Sequence, residues 1–307
     1  MLCIRSFRCM TTGIELFVDA GDWQAGESAL REAEAFFAGV EARFSRFLPD
    51  SELSRLNQAT GRTALASADL REIVRLALQA AQSTGGIFDP TVLDALEAAG
   101  YDRSIEHVRA GETAPVPDWA GIAVGRWAGV WVDDTGGTIT LPVGLRLDLG
   151  GIAKGWAADQ AAALLRPLGP GLVNAGGDLR AWGDEPGGTY GQGWLVAVDD
   201  PQQPGRDVVW LRVQDCAVAT SSVVTRRWVG GHHLIDPRSG RPAVTDLLSV
   251  TVLAPTVAQA EIAAKVVLIL GRDAGLAWLD EHSELQALLA GAGSDYFGTP
   301  GITGVWV

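Results

Sequence analysis

The sequence predicts an α+β fold, and three observations lead there. Strands and helices follow one another in mixed order rather than in a regular βαβα alternation. No GxGxxG motif follows the first expected strand, which argues against a doubly wound dinucleotide-binding sheet. Glycine supplies 38 of the 307 residues, well above the usual ~7%, so many tight turns or close backbone approaches to a ligand are expected. With 47% apolar and 20% charged residues, the chain can bury a substantial core. It has neither an internal repeat nor a long polar linker, so residues 1–307 read as a single domain whose subdivisions interleave.

Each element has a local reason. GIELFVDA at 13–20 reads as a strand. From about Glu27 to Phe44, Leu30, Ala33, Phe37, Val40 and Phe44 share one helical face. Pro49 ends that region, and SELSRLN at 51–57 has the form of a short capped helical turn. A helix over 67–84 turns Leu70, Ile73, Val74, Ala77 and Ala81 inward and stops at Gly85-Gly86. TAPVPDWAG at 113–121 is a Pro-rich loop. RWAGVWVDD (126–134) and TITLP (138–142) read as strands joined by a Thr-Gly-Gly turn. A helix over 152–168 ends at Gly169, and short β-like runs follow: LVNA, GWLVAVD, VVWLRV, CAVATS and HHLID. SVTVLA at 249–254 leads into a helix over 257–270. A helix over 273–282 and strands near 286–290 and 303–307 complete the chain.

The formal charge is −13 and the isoelectric point about 4.7, which excludes a general phosphate-tracking, nucleic-acid-binding surface. A local anion site stays open, since backbone amides at glycine turns hold phosphates. Cys3, Cys9 and Cys216 form no CxxC pair, which points to a reduced compartment and no structural zinc. No stretch approaches the ~20 apolar residues that a membrane span needs. MLCIRSFRCM carries neither the apolar core of a secretory signal nor a lipobox, so a cytoplasmic protein is expected. The basic residues are 22 Arg but only two Lys, Lys154 and Lys265. Where arginine serves almost every surface, two lysines raise the question of a need for a primary amine.

Four glycine-pair turns lie beside acidic or amide groups: GGIFDPTV (85–92), LDLGGIAKGWAAD (147–159), VNAGGDLRAWG (173–183) and GGHHLIDPRSGRP (230–242). Each alone is common in ordinary loops. In the second, a helix N-terminus behind two glycines offers amides and a positive dipole end to a phosphate. Lys154 sits in the first turns of that helix, where a cation opposes the dipole, so a ligand anion is its expected partner. Asp148, just before the turn, is placed to accept hydrogen bonds from a ligand. His232 and His233, read as part of a strand, face opposite sides, and one of them is a candidate acid or base. A hydrolase triad of Ser221 or Ser222, His233 and Asp236 is disfavoured, because no GxSxG elbow is present.

Taken in order, these segments resemble the ApbE family of FAD:protein FMN transferases. MTT (10–12) is similar to the family's MGT, with Thr11 in place of Gly. FSRFLPDSELSRLN (44–57), GGIFDPTV, DLGGIAKG, VNAGGDLRA, ATSS (219–222) and HLIDPRSGRP (233–242) follow in family order, and SVTVLAP leads into the last family helix. The resemblance spans roughly residues 7–271. It implies an α+β architecture of the family's own, with FAD as substrate and cleavage of its pyrophosphate aided by a divalent cation, usually Mg²⁺. FMN would pass to a Thr or Ser hydroxyl of an acceptor flavoprotein. It assigns Met10, Phe47, Ile87, Phe88, Asp89, Asp148, Lys154 and His233 to the FAD site, with His233 taking the proton of the attacking hydroxyl. The metal would be held by the backbone oxygen at Gly151 and by an Asp and a Thr of a helix motif A-D-x-x-A-T.

That helix departs from the family. It reads A-E-I-A-A-K at 260–265, so Glu261 stands for the Asp and Lys265 for the Thr. Glu binds Mg²⁺; a protonated Lys does not. Glu261 and Lys265 are spaced i,i+4 in the favourable order. Two expectations follow: an ordinary surface ion pair, or a Lys265 ammonium paired with Glu261 that takes the cation's place. The resemblance also leaves open FAD hydrolysis to FMN and AMP, and the altered motif leaves open silent FAD binding.

Overall fold

The computed structural model describes residues 1–110, 119, 121–188, 192–203, 205–293, 295–302 and 304–306. Of the expected loop at 113–121, all but Trp119 and Gly121 lies outside the described residues.

The chain opens on β1 (Leu2–Cys9) and β2 (Thr12–Asp19), paired antiparallel from Leu2 opposite Asp19 to Cys9 opposite Thr12. The sequence reading misses β1: Arg5 and Arg8 interrupt its apolar pattern, and of its eight residues only Cys3 and Cys9 are buried. A two-residue turn closes the hairpin with both φ angles positive, 52° at Met10 and 61° at Thr11. This geometry favours glycine and asparagine, and a β-branched residue there costs roughly 1–2 kcal/mol. Thr11→Gly is therefore expected to stabilise the protein by up to about 1 kcal/mol, less than the strain relieved because glycine loosens the unfolded chain. Urea unfolding measures the difference.

Next come α1 (Trp23–Phe44), α2 (Glu52–Gln58), β3 (Thr63–Leu65), α3 (Ala68–Ser83), α4 (Leu93–Ala98) and α5 (Ile105–Ala110). The expected inward residues of α1 and α3 are all buried. Ser51 and Ser67 cap α2 and α3, accepting from the amides of Ser54 (2.9 Å) and Leu70 (3.2 Å). The strand expected at 126–134 begins instead as a 3-10 turn (Trp127–Gly129), followed by β4 (Trp131–Asp133) and β5 (Thr138–Thr140). Then follow α6 (Ala153–Leu165), a 3-10 turn ending at Gly169, β6 (Gly171–Ala175), β7 (Asp178–Trp182), β8 (Trp194–Asp199), β9 (Asp207–Val213) and β10 (Ala217–Ser222). HHLID is not one strand. β11 (Arg227–Trp228) pairs with β12 (Gly231–His232), β13 (Ile235–Asp236) pairs with β14 (Arg241–Pro242), and His233 and Leu234 fall between them. β15 (Leu247–Ala254), α7 (Val257–Leu270), α8 (Arg272–Asp280), β16 (Gln286–Gly291), β17 (Tyr296–Gly298) and β18 (Gly304–Trp306) end the chain.

Two compact units emerge, each built from separate stretches of sequence. The first comprises residues 1–39, 154–222 and 246–307; the second comprises 40–153 and 223–245. The first unit holds an eight-stranded antiparallel sheet in the order β1-β2-β6-β7-β10-β15-β16-β17 and a three-stranded sheet β18-β9-β8. α7 lies on β7, β10 and β15. It is apolar nearly all round and buries Val257, Ala260, Ala263, Ala264, Val266, Val267 and Leu268, so the one acid it buries, Glu261, needs internal partners. The second unit holds the small sheet β3-β5-β4, the hairpins β11-β12 and β13-β14, and an aromatic core in which Tyr101 stacks on Trp228 with centroids 5.4 Å apart. No described helix is long and apolar enough to cross a membrane.

Candidate functional site

In the first unit, the charged centre is built by a close helix contact. A Cβ on Gly155 would lie 2.8 Å from the backbone of Ala258, so only glycine lets α6 approach α7 this closely. Asp159, one turn further along α6, takes the amides of Val257 (2.9 Å) and Ala258 (3.0 Å) at the start of α7. Thr256 accepts from Gln259 at the same helix end. With α6 and α7 locked in this way, Lys154 and Glu261 meet.

Glu261 lies under both lysines of the chain. Its Oε1 accepts from Lys154 Nζ at 3.0 Å and from Lys265 Nζ at 3.2 Å, and its Oε2 accepts from the Gly155 amide at 2.9 Å. Lys265 also donates to the Glu261 carbonyl at 3.3 Å. Lys154 is paired in addition with Asp178, the first residue of β7, whose other oxygen accepts from the Thr220 amide. The Glu261 and Asp178 side chains are 2% and 5% exposed, and the two lysines 13% each, so this is not a surface ion pair. Burial by itself would raise the Glu261 carboxyl; the two ammonium groups and the Gly155 amide reverse that and hold it low, at about 2. Lys154, expected against a ligand anion, is thus anchored on two carboxylates.

This arrangement does not fit a divalent cation. Both oxygens of Glu261 are turned to N–H donors, and two ammonium groups stand where a metal would need open lone pairs. Among the described residues, no cluster of three or more His, Cys, Asp or Glu is shaped to hold a metal. Gly151, the expected carbonyl ligand, belongs to the second unit and is half-buried in the turn before α6. The amides expected to be open around that turn are engaged: Gly150 donates to Asp148 Oδ1 at 2.8 Å, and Ile152 and Ala153 donate to the Leu149 carbonyl. Met10 belongs to the first unit, in the strained turn between β1 and β2.

In the second unit, Gly85 and Gly86 take φ of 60° and 82° and end α3, bringing Ile87, Phe88 and Asp89 into an ordered turn. Phe88 is buried and Ile87 half-buried. Asp89 holds the turn itself: Oδ1 accepts from the Thr91 amide (2.7 Å) and hydroxyl (2.6 Å), and Oδ2 from the Gly125 amide (2.7 Å). The Asp148 amide donates to the Pro90 carbonyl at 2.8 Å, tying the two turns together. Asp148 Oδ2 pairs with Arg46 Nε at 2.6 Å.

Arg46 escaped the sequence reading although it lies inside the FSRFLPDSELSRLN stretch. Its guanidinium covers the Phe47 ring at 4.2 Å and the Tyr101 ring at 4.7 Å from the centroids, and it donates to the Tyr101 carbonyl at 2.7 Å. It therefore fixes the half-buried Phe47 and Asp148 at once. The signal available was an arginine flanked by two aromatic residues, Phe44 and Phe47, in a motif otherwise read for its helix cap.

The histidine pair divides its work. His232 Nδ1 accepts from the Leu234 amide at 3.2 Å, and Nε2 lies 3.0 Å from the Ala243 carbonyl, which fixes a neutral ring protonated on Nε2. Burial pushes its pKa down, against the lift from the Ala243 carbonyl. His233 follows at a bend rather than in a strand, half-buried, with its amide on the Arg226 carbonyl at 3.3 Å. Asp236 is engaged by the Arg238 guanidinium and amide, which removes it from the triad weighed above.

The sequence model of the ApbE family matches residues 10–289. A Treponema pallidum protein described as FAD:protein FMN transferase is 31% identical over 284 residues, covering 85% of this chain and 76% of its own length. A Haemophilus influenzae protein of the same description is 30% identical over 284 residues, covering 85% and 78%. The ApbE protein of Thermotoga maritima superposes with a TM-score of 0.86 at 24% identity, covering 98% of this chain and 97% of that one, and so shares the fold. The flavinyl transferase ApbE of Pseudomonas stutzeri, in its apo form, superposes with a TM-score of 0.81 at 26% identity over 98% and 96% of the two chains.

Proposed function

We infer the activity from kinship: this chain belongs to the ApbE family, and it transfers FMN from FAD to a hydroxyl of an acceptor flavoprotein. The observation that carries this reading is the continuous likeness, over 85% of the chain, to proteins described as FAD:protein FMN transferase.

The reaction exchanges the phosphoanhydride bond of FAD for a new phosphoester to the acceptor. The acceptor Thr or Ser oxygen attacks the flavin-side phosphorus of the pyrophosphate, the bridging P–O bond breaks, and AMP leaves with the bridging oxygen. The hydroxyl proton must go to a base. We assign that role to His233, which matches the position of the family's base; its neighbour His232 has both ring nitrogens on the backbone. The flavin end falls to Phe47, Ile87 and Phe88, with Arg46, Asp89 and Asp148 holding their turns in place. Met10 belongs to the same proposed FAD-binding set. The pyrophosphate charge falls to Lys154 and Lys265.

The test is to incubate the protein with FAD and the flavoprotein encoded nearest its gene, following AMP release and flavin fluorescence of the denatured acceptor band. Covalent flavin with equimolar AMP is expected. AMP without covalent flavin would make the protein an FAD hydrolase, and neither product would overturn both readings.

A further inference from the structure

The ion cluster around Glu261 disagrees with its own family, and the disagreement has a chemical meaning. The helix position that supplies a hydroxyl ligand in the family carries Lys265 here, and the carboxylate beside it is already shared by two ammonium groups and an amide. Two ammonium charges balance the two carboxylates Glu261 and Asp178, so no net negative charge is left to draw in a dication. A divalent ion at Glu261 would have to displace an ammonium from a buried pair and then remain beside it.

We propose that this chain works without a divalent cation, the Lys265 and Lys154 ammonium groups supplying in covalent form the positive charge that meets the FAD pyrophosphate. The proposal rests on the flavin-transfer reading. Exposure gives the cluster its polarity. The carboxylates are 2% and 5% exposed and the lysine side chains 13% each, so the lysines are the more accessible members of the cluster. Composition adds a second, independent reason. Among 24 basic residues the chain uses lysine only at these two places. An ammonium is a compact point charge with three donors that can grip a buried carboxylate and still face a phosphate; the wide planar guanidinium cannot be packed twice around one carboxylate oxygen.

The experiment uses the full-length protein and two readouts besides turnover. Freed of metal with EDTA, the protein is titrated with MgCl₂ alone while its melting temperature is followed, and FAD binding is measured by flavin fluorescence with EDTA or with Mg²⁺. The expected result is no Mg²⁺-dependent melting shift and an equal FAD affinity in both buffers. Lys265→Ala should weaken FAD binding about tenfold or more, the scale of one charge-assisted hydrogen bond. The double variant Glu261→Asp, Lys265→Thr should become Mg²⁺-dependent in both readouts. A wild-type melting shift with Mg²⁺, or FAD affinity lost in EDTA, overturns the proposal and leaves flavin transfer standing. Absence of FAD binding in either buffer overturns the flavin reading instead, and this proposal with it.

Discussion

His233→Ala is expected to slow flavin transfer roughly 10²–10⁴-fold at saturating FAD and acceptor, the usual cost of losing a positioned base. FAD affinity, read from flavin fluorescence, should change little, because proton removal matters only as the hydroxyl attacks. The informative partner is His232→Ala. That ring bridges the Leu234 amide and the Ala243 carbonyl, so its loss should cost about 1–3 kcal/mol of stability and leave the rate of the folded enzyme nearly intact. Measured by single-turnover transfer and by urea unfolding, the two variants should separate cleanly. An equal rate loss in both would remove His233 from the role of base.

Glu261→Ala is expected to be the most damaging change to stability, at about 3–5 kcal/mol in urea unfolding. It takes from Lys265 its carboxylate partner and leaves Asp178 as the remaining carboxylate paired with Lys154. The same carboxylate gives the wild type an acid-sensitive step. Its folded pKa is held at about 2, against an ordinary 4.5, so the unfolded chain takes up the proton first as pH falls. The stability it contributes is fully present above about pH 4.5 and is lost as pH drops towards 2. In Glu261→Gln that step should vanish from a plot of unfolding free energy against pH. A variant with the same acid profile as wild type would mean that another group carries it.

Local features of this chain were legible in its sequence; long-range ones were not. The inward faces of α1 and α3 are legible because they repeat at helical spacing, although α1 begins at Trp23, four residues before the expected start at Glu27. The pair Glu261–Lys265 was visible because four residues on a helix bring two side chains together by geometry alone. The contact of Lys154 with Glu261 spans 107 residues and depends on Gly155 admitting Ala258, which no local pattern encodes. The odd scarcity of lysine marked both positions without saying that they meet. Asp89 and Asp148, expected at the ligand, hold turns as well, since an aspartate one or two residues before a turn finds backbone amides there. The histidine segment is not one strand because a bend at His233 and the irregular Leu234 separate two two-residue strands, the second opened by Ile235.

The order of strands in the large sheet also dictates an order of events during synthesis. β2 pairs with β6, Val18 opposite Gly171, and almost the whole second unit is encoded between them. At roughly 5–20 residues per second, a hairpin of β1 and β2 leaving the ribosome waits about 10–30 s for its neighbour. Meanwhile Ile14, Leu16 and Val18, fully buried in the finished protein, have nothing to pack against, and the β2 edge offers unpaired backbone to any passing chain. Residues 40–153 can condense during this interval, but the sheet bearing Asp178 closes only after β15 has followed them out. An unpaired β2 edge of this kind is exposed to aggregation until its neighbour arrives.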